Sequence, residues 1–218
     1  RFGWLAAGSK QITLLSTLPV GQHDTLQAAL GHYLEGARRS LGSSFVAPAR
    51  AALAVATPVT GDSVHFTNSP WSFSRSELQR TLGLDSLVVL NDCEALALAL
   101  PHLAADQLQP PRAMPPTGGA KAVIGVGTGL GVAAVVPNGR GWLAIPGEGG
   151  HATAAAGDDF EAAVLTVARR SFDHVSAERL LSGIGLPLLH GAVCEVLGQP
   201  APSALETPAI VERGLAGD

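Results

Sequence analysis

The stretch Leu87-Val88-Val89-Leu90-Asn91-Asp92 decides the fold class of this chain. Its four leading apolar residues predict a buried strand, and residues 93–100 after it have the pattern of a helix that ends at Pro101. The polar pair Asn91-Asp92 therefore follows the carboxyl end of a strand, which is where open α/β sheets bind their ligands. Strands and helices alternate elsewhere along the chain, so the sequence predicts an α/β protein.

Composition narrows the class of protein further. The chain has 218 residues, of which 46% are hydrophobic and 15% charged, which is enough apolar material for a sizeable core. The net charge of −4 and the absence of a Lys/Arg run argue against a nucleic-acid groove or an anionic membrane surface. No apolar run reaches the ~18 residues of a transmembrane helix. The chain has only two cysteines, which favours a protein with reduced thiols over a scaffold held by disulfides. We therefore expect a cytoplasmic protein with no nucleic-acid or membrane partner.

Two interpretations of Asn91 and Asp92 follow from their position between strand and helix. One is structural, because Asn and Asp are preferred caps at helix N-termini. The other is chemical: Asp92 is a general base that takes a proton from a substrate hydroxyl, and Asn91 orients that hydroxyl. The segment alone does not choose between them.

A glycine-rich run, Gly125-Val126-Gly127-Thr128-Gly129-Leu130-Gly131, is predicted to join strands at 121–125 and 132–136. Backbone N–H groups and the Thr128 hydroxyl of such a turn suit phosphate oxygens. A ligand-free hairpin is the alternative. A nucleotide-binding oxidoreductase is a third interpretation, but its glycine fingerprint requires a helix after the turn, and the residues here are strand-like.

A carboxylate and an imidazole stand three residues apart in Pro146-Gly147-Glu148-Gly149-Gly150-His151. The flanking glycines allow a sharp bend and close approach of a ligand, and Glu148 and His151 suit a molecule rich in hydroxyls. An exposed turn is the alternative. Ser176 is expected to cap a short helix, in which Glu178 is either a ligand residue or a first-turn acid. The six other histidines show no clustering, and we expect them to be surface or packing residues.

Taken together and in order, these segments resemble bacterial glucokinases of the hexokinase and actin-like ATPase superfamily. The resemblance rests on segments that span most of the chain, and the last two of them are specific to this group: residues 56–62, 67–74, 90–92, 125–131, 146–151 and 174–183.

The resemblance implies a fold and a reaction. The fold would be the two-lobed, ribonuclease H-like sugar-kinase fold, with a small α/β lobe over residues 1–101 and part of the large lobe over 102–218. The reaction would be ATP-dependent phosphorylation of D-glucose at its 6-hydroxyl, with Mg²⁺ on the phosphates and sugar bound between the lobes. A homodimer would be the state of assembly.

The resemblance also implies roles at matched positions. Asp92 would be the catalytic base, and a second group would hydrogen-bond the other sugar hydroxyls: Asn91, Glu148, His151 and Glu178. The second phosphate loop would consist of Gly127, Thr128 and Gly129. Related sugar kinases carry a cysteine-rich zinc motif where this chain has residues 152–156, Ala-Thr-Ala-Ala-Ala, so we expect no structural metal.

Two parts of the family pattern fall outside the sequence. The first phosphate loop would end immediately before Arg1, and the adenosine-binding glycines would follow Asp218. We therefore expect these 218 residues to be part of a longer protein. A glucose sensor that does not transfer phosphate is the alternative function, although such a sensor has no need of a base at Asp92.

Overall fold

The computed structural model describes residues 1–67, 69–108, 118–200 and 205–217, so Asn68 of the matched segment 67–74 lies outside the described residues. The chain divides into two compact units, Arg1–Asp92 and Cys93–Asp218. The predicted boundary was 101/102, and the assignment of these parts to a small and a large lobe stays a prediction.

The first unit combines short antiparallel ribbons with one parallel pair of strands. Its elements are β1 (Phe2–Leu5), β2 (Ile12–Ser16), α1 (Leu26–Leu41), β3 (Arg50–Val55), β4 (Ser63–His65), β5 (Ser72–Ser74), α2 (Arg75–Thr81) and β6 (Ser86–Asn91). The first two strands, β1 and β2, pair antiparallel. Strands β3 and β6 pair in parallel, with Val55 opposite Asn91. The strand that decides the fold class is therefore a parallel strand, as expected for an α/β protein.

Helix α1 begins at Leu26, directly after a capping residue. Thr25 caps it, with its hydroxyl oxygen accepting a hydrogen bond from the Ala28 amide at 3.1 Å. The preceding residue, Asp24, is also of a type that caps helices, so the sequence alone does not decide between the two.

The core of the first unit lies between its two helices and the parallel strands. Leu78 of α2 and Val64 of β4 are fully buried there. The cluster contains ten buried side chains from both helices, the strands and the intervening loops: Leu26, Ala29, Val55, Val64, Trp71, Phe73, Leu78, Leu84, Leu87 and Val89. Burial of this apolar surface fixes β6 and therefore the position of its carboxyl end.

The second unit contains a three-stranded antiparallel sheet and several helices. Its elements are α3 (Asp92–Ala99, whose first residue belongs to the first unit), β7 (Lys121–Val126), β8 (Leu130–Pro137), β9 (Trp142–Gly147), α4 (Asp159–Ala168), α5 (Leu186–Val196) and α6 (Thr207–Ala216). The sheet order is β7-β8-β9. The predicted strands on either side of the glycine turn are confirmed. Strand β9 and helix α6 were not predicted from the sequence.

Helix α3 packs on one face of this sheet. Ala97 is buried against Ala133 and Val135 of β8. At Gly131 a Cβ atom would overlap the Cys93 sulfur, so this glycine allows the start of α3 to approach β8. Among the described residues, no helix is both long enough and apolar enough to cross a membrane.

Candidate active site

Asn91 and Asp92 occupy the junction of β6 and α3. Asn91 is the last residue of the strand and Asp92 the first of the helix, and both side chains are partly buried. The Asn91 amide nitrogen donates a hydrogen bond to the Thr57 carbonyl at 3.4 Å. Since Thr57 follows the parallel strand β3, the polar pair lies where two neighbouring strands end.

The glycine turn, residues 127–129, connects β7 and β8. The Gly127 amide donates to the Gly129 carbonyl at 2.9 Å, which closes the turn. Gly127 and Thr128 are exposed, whereas Gly129 is only partly so. Because a strand follows the turn, it lacks the strand–turn–helix context of a dinucleotide fingerprint. The oxidoreductase interpretation depends on that context, so this geometry does not support it.

The bridging segment, residues 176–185, forms successive turns in place of the short helix predicted after Ser176. The Ser176 hydroxyl does accept a hydrogen bond from the Arg179 amide, at 3.3 Å, as a helix cap does. The following residues nevertheless form turns rather than a helix, and the backbone packs closely on itself at Gly185. A Cβ at Gly185 would lie 2.6 Å from the Arg179 carbonyl carbon, so only a glycine permits this fold of the backbone.

Backbone hydrogen bonds tie the bridging segment to two other parts of the second unit. The Gly183 amide donates to the Gly127 carbonyl at 2.7 Å, and the Glu178 amide donates to the Gly150 carbonyl at 2.9 Å. A Cβ at Gly150 would overlap the Leu130 carbonyl oxygen. The glycine turn, residues 148–152 and the bridging segment therefore meet backbone to backbone. We call these three pieces the glycine-packed cluster.

Three predicted sugar-binding side chains converge on this cluster. His151 lies between two carboxylates, with its Nδ1 3.9 Å from Glu148 Oε2 and its Nε2 3.4 Å from Glu178 Oε1. Glu148 and His151 are 72% and 61% exposed, whereas Glu178 is only 24% exposed. Glu178 Oε2 also accepts a hydrogen bond from the Leu130 amide at 2.9 Å. The arrangement offers acceptors and a ring nitrogen on one exposed patch, which suits a ligand with several hydroxyls.

A depression of about 440 Å³ opens beside this patch. Its lining combines polar side chains with one aromatic ring: His151, Phe172, Asp173, His174, Ser176, Glu178 and Arg179. His174 was expected to be an unclustered surface or packing residue, but it lies in the same depression as His151. Its Nε2 is 3.0 Å from the Thr153 hydroxyl, which anchors the ring.

Backbone groups of Leu130 and Gly150 were missed as parts of the site. The Leu130 amide donates a hydrogen bond to the Glu178 side chain, and the Gly150 carbonyl accepts one from the Glu178 amide. Residue type does not show which main-chain amide will bind a side chain. The density of glycines near Leu130 was therefore the only signal available in the sequence. Among the described residues, no group of three or more His, Cys, Asp or Glu side chains is placed to hold a metal ion.

The family model for glucokinase matches residues 1–218. The chain belongs to the glucokinase family. The glucokinase of Nitrobacter hamburgensis is 44% identical over 206 residues, which cover 93% of this chain and 62% of that protein. The glucokinase of Chromobacterium violaceum is 46% identical over 205 residues, which cover 92% of this chain and 56% of that protein. The chain thus spans less than two thirds of the length of these relatives.

A solved glucokinase has the same fold. The crystal structure of the enzyme from an Antarctic psychrotroph superimposes with a TM-score of 0.82 at 34% sequence identity. The match covers 95% of this chain and 62% of that one. This similarity confirms the predicted α/β sugar-kinase fold class and the family resemblance on which the site residues were chosen.

Proposed function

We propose that this chain phosphorylates D-glucose at its 6-hydroxyl with ATP as the phosphoryl donor. One observation carries the proposal: Glu148, His151 and Glu178 converge beside the glycine turn in a member of the glucokinase family. The relatives named glucokinase support the same reaction. A cytoplasmic location and a homodimer stay predictions from the family resemblance.

Sugar recognition is assigned to the carboxylates of Glu148 and Glu178 and the imidazole of His151. Glu148 and Glu178 accept hydrogen bonds from sugar hydroxyls, and His151 donates or accepts one through its ring nitrogens. Asn91 contributes an amide from the end of β6. Selectivity arises because a sugar with a misplaced hydroxyl leaves one of these polar groups without a partner.

Phosphoryl transfer is assigned to Asp92 as the base. The carboxylate takes the proton of the glucose 6-hydroxyl while that oxygen attacks the γ-phosphorus of ATP. The bond from the γ-phosphorus to its bridging oxygen breaks, and ADP leaves. Position at a strand end is typical of groups that act on ligands in α/β folds.

The glycine turn is assigned to phosphate binding, since the exposed backbone of Gly127 and the Thr128 hydroxyl leave room for phosphate oxygens. At Gly127 a Cβ would find no atom of the described residues within 4 Å. Mg²⁺ does not require a site formed by protein ligands alone, because it commonly binds through substrate phosphates, water and one or two carboxylates. When bound, it neutralises phosphate charge.

Replacement of the base tests the proposal. Asp92→Ala is expected to lower the rate of glucose 6-phosphate formation by about 10²–10⁴-fold, since the variant has no group to take the proton. Glucose binding, measured by calorimetry, is expected to stay largely intact. Asp85→Ala is the matched control, because Asp85 is exposed in the same unit. Near wild-type turnover in Asp92→Ala would contradict the assignment of the base.

A further inference from the structure

Gly129 contacts the Glu178 carboxylate directly. A Cβ built at Gly129 would lie 2.5 Å from Glu178 Oε2 and 3.4 Å from the carboxyl carbon. The distance of 2.5 Å is shorter than any carbon–oxygen contact that a stable side chain keeps, so an alanine at 129 and the present position of Glu178 exclude one another.

The same oxygen of Glu178 is held by the next residue of the chain. Leu130, immediately after Gly129, donates its amide to Glu178 Oε2 at 2.9 Å. The other oxygen, Oε1, faces His151 Nε2 at 3.4 Å. One end of the carboxylate is thus fixed by the start of β8, and the other points towards the imidazole at the exposed patch.

We propose that Gly129 is a positioning residue for the sugar side of the site: its missing side chain makes the space in which Glu178 is held for sugar binding. This inference rests on the proposed function, and it assigns Gly129 a role separate from the phosphate contacts of Gly127 and Thr128. The conformation of the glycine turn then decides whether Glu178 is in place to receive a hydroxyl.

The chemistry of the contact predicts a specific consequence. The obstacle at Gly129 is the end of a flexible side chain, so Gly129→Ala is relieved by rotation of Glu178 with little change to the backbone. Rotation removes the acceptor from the Leu130 amide and moves Oε1 away from His151. Loss of a hydrogen bond to a charged group corresponds to about a tenfold change in an equilibrium constant. We therefore expect glucose affinity to fall by about tenfold.

Calorimetric titration with D-glucose tests the inference on folded protein. Gly129→Ala is expected to bind glucose about tenfold more weakly than wild type at a temperature where circular dichroism shows both folded. Gly191→Ala in α5 is the matched control, since a Cβ there would meet no described atom within 4 Å outside its own helix backbone. It is expected to bind glucose like wild type. A Gly129→Ala variant that keeps wild-type glucose affinity would overturn the inference.

A double-mutant cycle on melting temperature tests the contact without any ligand. Gly129→Ala is expected to lower the melting temperature by about 2–4 °C in the wild-type background. In a Glu178→Ala background the same change is expected to have little effect, because the carboxylate that it displaces is gone. An equal loss in both backgrounds would overturn the contact as the cause. If wild type binds no glucose while the cycle shows coupling, the proposed function fails and the Gly129–Glu178 contact stands.

Discussion

The two units hold their predicted site residues by different means. In the first unit a cluster of ten buried apolar side chains fixes β6, and with it Asn91 at the strand end. In the second unit, Glu178 and His151 are held where three glycine-containing segments meet through backbone hydrogen bonds. Packing of apolar side chains positions Asn91 in the first unit. In the second unit, glycines without side chains allow the close backbone packing that positions Glu178 and His151. Removing atoms is therefore expected to damage the first unit, whereas adding atoms damages the second.

The largest effect on stability is expected from Leu78→Ala in the first unit. Leu78 is fully buried in α2, so its truncation leaves a cavity beside β6 and lowers the free energy of unfolding by about 2–5 kcal/mol. Thermal or denaturant unfolding of the variant measures this loss. Leu15→Ala is the control, since Leu15 is 78% exposed and its replacement is expected to stay within about 0.5 kcal/mol. If Leu78→Ala lowers the free energy of unfolding no more than Leu15→Ala does, this core does not stabilise the first unit.

An added methyl group in the second unit is expected to have the next largest effect. In Gly150→Ala the new Cβ meets the Leu130 carbonyl oxygen, which belongs to the backbone and cannot rotate away. Overpacking of this kind lowers the free energy of unfolding by about 1–3 kcal/mol, and separation of the segments is expected to reduce glucose affinity as well. Unfolding and glucose titration measure both changes. Unaltered stability and affinity would show that close packing at Gly150 is not required.

The smallest effect is expected from an exposed carboxylate that stabilises the start of α2. Hydrogen bonds from the Ser74 hydroxyl and then the Ser76 amide to Asp62 lower the pKa of that carboxyl from its ordinary value of 3.8. A carboxyl whose pKa is lower in the folded state stabilises the fold above its ordinary pKa. That contribution is lost as the pH falls below it.

Asp62→Asn is therefore expected to be slightly less stable than wild type near neutral pH and to lose less stability as the pH falls through 4 and below. Melting temperature as a function of pH measures the effect, with Asp85→Asn as the control. Identical acid limbs for wild type and Asp62→Asn would argue that these hydrogen bonds do not contribute.

Hydrophobic periodicity and capping residues were sufficient to predict the regular elements that bury a clear apolar face. Helix α4 begins directly after Asp158, whose side chain accepts a hydrogen bond from the Glu161 amide, as expected of an acidic residue at a helix start. The strand at Leu87–Leu90 was read from four consecutive apolar residues, and it is the centre of β6. The glycine turn was placed between two strands for the same reason.

The arrangement within the site was not predictable in this way. Glu178 was assigned to a helix, because the cap-like Ser176 gives a local signal, whereas the close approaches of Gly183 to the Gly127 carbonyl and of Gly185 to the Arg179 carbonyl give none. The assignment of Gly129 to phosphate stays a prediction, but its contact with the Glu178 carboxylate was not foreseen, because a glycine shows that space is needed but not what fills it. Strand β9 was missed because Pro146 and Gly147 interrupt its apolar pattern. In each case tertiary contacts decided the conformation.

Calorimetric titration of the wild-type chain with D-glucose, with D-galactose as the control, tests the central claim most directly. The site built from Glu148, His151 and Glu178 predicts saturable binding of glucose and much weaker binding of galactose, whose inverted 4-hydroxyl leaves polar groups unpaired. A chain shown by circular dichroism to be folded, yet binding neither sugar, would contradict the claim that these three side chains form a sugar site.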